Sequence, residues 1–81
     1  MKPEKVFRIG AVSGSVFVNK VATEGGKREI RNVNLQRRYR DEESGEWKSA
    51  TTFGLADLPA AIDVLKMAKD HVASQEAEIA G

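Results

Sequence analysis

The chain has 81 residues, 41% hydrophobic and 31% charged, with a formal net charge of +1, no cysteine and one histidine. That length holds a single core; the missing cysteines exclude disulfides and thiolate zinc sites, and a lone histidine leaves no pair for a transition-metal site. A monomer this small buries only roughly 60% of the surface its unfolded chain exposes, so self-association is the remaining route to added stability.

The charge is unevenly placed. Residues 1–40 carry ten Lys/Arg against three Glu, and residues 41–81 carry three Lys against nine Asp/Glu. A basic half favours a polyanionic partner, unless the two halves neutralise each other across the packed domain. Met1–Gly10 carries Lys2, Glu4, Lys5 and Arg8 without an apolar stretch, so no secretory leader is expected. No apolar run approaches the ~20 residues that cross a bilayer. The expected location is cytoplasmic, with nucleoid association as an option, and no membrane partner.

Val6–Ser13 and Ser15–Ala22 are rich in Val, Ile and Phe, as strands are. Ser13-Gly14 is a candidate turn between them; alternatively Gly10 and Gly14 bend one long strand. In the second segment Val16 and Val18 are expected to point inward and Phe17 and Asn19 outward; the opposite parity makes Phe17 core. Gly25-Gly26-Lys27 marks the next turn. Ile30–Arg40 alternates: Val33, Leu35 and Tyr39 share one parity, and Asn32, Asn34, Gln36, Arg38 and Arg40 the other. Arg31 and Arg37 interrupt the apolar set, which confines its burial to the middle. An acidic turn, Asp41–Glu46, leads to a partner strand, Trp47–Phe53. Asp57-Leu58-Pro59 then opens a helix, with Asp57 as cap and Pro59 in the first turn. Leu58, Ile62, Leu65, Ala68, Val72 and Ile79 form an apolar stripe, widened by Ala61, Val64 and Met67. It is broader than one small sheet need cover, so Leu58, Ile62, Leu65, Ala68 and Val72 are the expected dimer interface. Gln75–Gly81 is expected to fray. The fold class is α+β, a single domain with a sheet over about 6–53 and a helix over about 57–76.

No constellation for catalysis stands out, and neither enzyme activity nor a cofactor is expected. His71 beside Asp70 reads as a solvated or helix-packing residue. The acidic turn lacks calcium-ligand spacing, and Gly25-Gly26-Lys27 is too short for a phosphate loop. Nucleic-acid binding has better support, because single strands need cations for phosphates and planar groups for bases. Asn34, Gln36, Arg38 and Arg40 would stand about 7 Å apart on one sheet face. Lys48 is expected to join them, with Phe17 and Asn19 beside them. Tyr39 and Trp47 are expected to cover the core edge.

Phe7-Arg8-Ile9-Gly10, the valine-rich strand, Gly-Gly-Lys, Val33–Tyr39, Asp41, Gly45-Glu46-Trp47-Lys48 and Asp57-Leu58 stand in an order that resembles one known family. It is the positive-cofactor-four type of transcriptional coactivator, a family of single-stranded DNA-binding proteins, here in a compact form like those of prokaryotes or phages. The similarity covers roughly residues 7–70. It implies a curved four-stranded antiparallel sheet with one C-terminal helix (β-β-β-β-α), a two-fold dimer around that helix, and single-stranded DNA on the sheet faces. It brings Lys27, Arg28 and Tyr39 into the candidate contact set, which also includes Arg8. The chain departs from the family at Gln36, where a basic residue is usual, and in its longer acidic tip; no Ser- and Lys-rich tail is present. The expectation is a homodimeric single-stranded DNA-binding protein. RNA is an alternative ligand, and a peptide-binding assembly module the alternative of another class.

Overall fold

The computed structural model describes residues 2–76; Ile79 and most of the expected frayed end lie outside them. The order is β1 (Lys5–Ile9), β2 (Val12–Thr23), β3 (Gly26–Arg40), β4 (Trp47–Ala50) and α1 (Leu58–Glu76). The four strands form one antiparallel sheet in the order β1-β2-β3-β4, followed by the helix. No helix among the described residues is long and apolar enough to cross a membrane.

The first turn falls at Gly10-Ala11, where Ile9 pairs with Val12, and not at Ser13-Gly14. Gly10 has φ +57°, which suits the first central position of a two-residue hairpin loop and favours glycine. Gly14 serves a different purpose inside β2. A Cβ there would lie 2.8 Å from Val64 Cγ1, so its missing side chain lets the helix sit close to the sheet. β4 ends at Ala50, short of the expected Phe53.

The pairing register is continuous, so each strand's parity decides its face. Phe7 and Ile9, Val12, Gly14, Val16 and Val18, and Val33 and Leu35 lie on the helix side. Val12, Val16, Ala61, Val64 and Ala68 make up the buried apolar set, and Phe7, Ile9, Leu35 and Phe53 pack at its margin. Each fully buried Val contributes about 1.5–3 kcal/mol relative to exposure, so the core is thin for a chain of this length.

Arg31 and Arg37 share the helix side and are anchored there. Arg31 Nε and Nη2 donate to the two Glu4 carboxylate oxygens at 2.8 and 2.9 Å. His71 Nε2 lies 3.0 Å from Glu4 Oε2, and its ring meets Phe7 edge-on at 5.9 Å. Glu4 therefore ties the N-terminal segment to β3 and α1. The Arg31 guanidinium first, and His71 second, hold its carboxyl down to about 2 from an ordinary 4.5. Arg37 Nε donates to the Thr52 carbonyl at 2.9 Å and lies 3.6 Å from Asp57 Oδ2, fixing the approach to α1. The Asp57 carbonyl accepts the Ala61 N–H at 3.0 Å, which puts Asp57 at the N-cap position, with its carboxylate turned toward Arg37.

Candidate nucleic-acid interface

The sheet face away from α1 carries Arg8 on β1, Phe17 and Asn19 on β2, and Arg28, Asn32, Asn34, Gln36, Arg38 and Arg40 on β3. Phe17 pairs with Asn32 and is half-buried, while neighbouring Val16 is fully buried on the helix side. Of the two parities that the sequence allows, the structure has the one that places Phe17 outward. Arg8, Asn34, Arg38 and Arg40 are exposed, and Gln36 and Asn19 are half-buried. Among the strand residues of this face the charged ones are Arg8, Arg28, Arg38 and Arg40, and none is acidic. A surface of one sign, with amides between the cations, attracts polyanions and hydrogen-bonds them along its length.

Three expected contacts fall elsewhere. Lys48 pairs with Tyr39, so both stand on the helix-side parity, away from Arg38 and Arg40. Lys48 Nζ instead binds Asp41 Oδ2 at 2.7 Å, and that ammonium holds the Asp41 carboxyl below its usual range. Tyr39 lies under the Arg37 guanidinium, 5.4 Å from its ring centre. Lys27 shares this wrong parity near the tip of the β2–β3 hairpin, where Arg28 faces the arginine side. The acidic turn staples itself: Gly45 N–H donates to Asp41 O at 2.7 Å and Glu43 N–H to Asp41 Oδ1 at 2.9 Å.

Trp47 was missed as a member of the face. It pairs with Arg40, is 62% exposed, and has the Arg38 guanidinium 5.3 Å from its ring centre. It does not cover the core edge. Local sequence does not signal this: the facing follows from the pairing of Arg40 with Trp47 across the acidic turn, and a register shifted by one residue would put Trp47 behind the sheet. Arg8, Gly10, Ala11, Arg38 and Trp47 line a hollow of about 500 Å³ at this end of the face.

On α1, Leu58, Ile62 and Leu65 are 41%, 57% and 44% exposed. They follow one helical stripe beside the buried Ala61–Val64–Ala68 row. Ala68 is wholly covered by the chain's own sheet, so it leaves the expected interface set, and Val72 is half-buried. Glu76 continues the exposed stripe, and its Oε1 accepts the Arg31 N–H at 2.8 Å. The stripe thus runs beside the outer edge of β3, which β4 covers only over Arg37–Arg40.

Comparison of the chain with protein-family models, with curated proteins and with solved structures finds no match in any of the three.

Proposed function

We propose that this chain is a homodimeric single-stranded nucleic-acid-binding protein, with DNA as its ligand, that holds the strand on the sheet face away from α1. One observation carries this: every charged strand residue on that face is an arginine, and Phe17 and Trp47 stand among them. Arginines follow phosphates, aromatic rings stack bases, and the amides of Asn32, Asn34 and Gln36 bond sugar or base edges. The order of sequence motifs, which resembles that of the positive-cofactor-four type family, points the same way. The thin core and the exposed stripe of Leu58, Ile62 and Leu65 support the dimer, whose partner helix would cover that stripe.

A second role, as a peptide-docking module, is favoured by the outer edge of β3, where no strand among the described residues pairs with Gly26–Gln36 on the side away from β2. Salt separates the two. Fluorescence anisotropy with single-stranded and duplex oligonucleotides at two salt concentrations is the test. Binding through arginines and stacking rings prefers the single strand, whose bases are free to stack, and weakens steeply as salt rises. Absence of oligonucleotide binding at low salt overturns the proposal.

A further inference from the structure

Building on the single-strand-binding role inferred above, we propose that the hollow between the β1–β2 turn and β4 is a nucleotide subsite with Trp47 as its base platform. Arg8, Arg38 and Trp47 supply its side-chain functionality, Gly10 and Ala11 complete its lining, and among the described residues no lining residue is acidic. Its volume, about 500 Å³, falls within the roughly 300–1,000 Å³ of small-ligand sites. The ligand chemistry follows from these groups. A large aromatic ring left 62% exposed with a guanidinium laid over it offers a flat platform for a planar π-system. Arg8, entering from β1, adds a second cation for an anion attached to that ring system. A planar base joined to a phosphate satisfies both; a peptide carboxylate satisfies only the cations. Trp47 pairs with Arg40, eight residues from Asn32 on β3, so this platform stands roughly 26 Å from Phe17 along the strand direction, toward the other end of the face.

Trp47 is the chain's one tryptophan, so its emission reports directly on the hollow. The intact protein is titrated with a short single-stranded oligonucleotide, an abasic oligonucleotide of equal length, a free deoxynucleoside monophosphate and a short acidic peptide, following emission and, for the labelled strands, anisotropy. The expected result is quenching by the oligonucleotide with the midpoint seen in anisotropy. The mononucleotide also quenches, at higher concentration, whereas the abasic strand binds with little quenching. Trp47→Ala should raise the oligonucleotide Kd on the order of 5- to 150-fold and leave the abasic Kd unchanged. If that variant does not fold, the emission of the unaltered chain still decides. Oligonucleotide binding without a change in emission, or equal quenching by the abasic strand, overturns the subsite but leaves the face as the binding surface. Emission that responds to an acidic peptide and to no nucleotide overturns it in favour of peptide binding. Failure of every strand to bind overturns the subsite and the proposed function together.

Discussion

Phe17→Ala separates binding from folding on one side chain. Phe17 is half-buried, pairs with Asn32, and stands on the face opposite Val16 and the helix. Its removal therefore opens no cavity against Val64. The stability at stake is that of a cross-strand pair, about 0.2–1 kcal/mol, together with a strand-propensity difference of similar size. A core phenylalanine would cost about 3–5 kcal/mol. At roughly 4–8 °C per kcal/mol for a domain of this size, the two cases differ widely in a thermal melt. For binding, loss of one base-stacking aromatic is worth about 1–3 kcal/mol, so the Kd for a single strand should rise roughly 5- to 150-fold. One melt and one anisotropy titration on the variant provide both numbers. A melting temperature lowered by more than about 12 °C with unchanged affinity would refute the stacking role and show that Phe17 supports the fold.

Arg38→Ala with Arg40→Ala should weaken binding to all sequences alike and lower the salt slope by about 0.7 per lost contact, with stability within about 0.5 kcal/mol of the parent; an unchanged slope in anisotropy titrations counts against these two contacts. Gly14→Ala should lower the melting temperature, because its Cβ would meet Val64 Cγ1 at 2.8 Å and overpacking costs about 1–3 kcal/mol, more than the gain from a less flexible unfolded chain. A raised melting temperature there would mean that α1 shifts freely. Glu4 has its carboxyl depressed by Arg31 and His71, so its contribution to stability is present above about 4.5 and is lost as pH falls toward about 2. Denaturant melts across that window should show a smaller pH dependence in Glu4→Gln, and an identical one would remove Glu4 from the acid response. Leu65→Lys should leave the monomer folded, since Leu65 is 44% exposed, but abolish association in sedimentation analysis; a Leu65→Lys dimer refutes the helix stripe as the interface.

Much of this was legible in the chain itself. Alternation in Ile30–Arg40 sorted the faces of β3, because strand side chains repeat every two residues and the middle of only one parity is apolar; in Val16–Asn19 both parities carry an apolar residue, and the burial of Val16 decided the side of Phe17. The change to helical spacing after Asp57 marked α1, whose start at Leu58 and extent to Glu76 agree with that pattern. Tertiary structure decided what local pattern leaves degenerate. Gly10 and Gly14 look alike in sequence; a positive φ makes one a turn, and the approach of Val64 makes the other a packing site. Arg31 and Arg37 read as interruptions of an apolar face, yet they sit there because Glu4, Thr52 and Asp57 reach them from distant parts of the chain. Trp47 and Lys48 were exchanged for the same reason. Across the acidic turn a strand's facing depends on register, and register is set by which residues pair, here Arg40 with Trp47 and Tyr39 with Lys48.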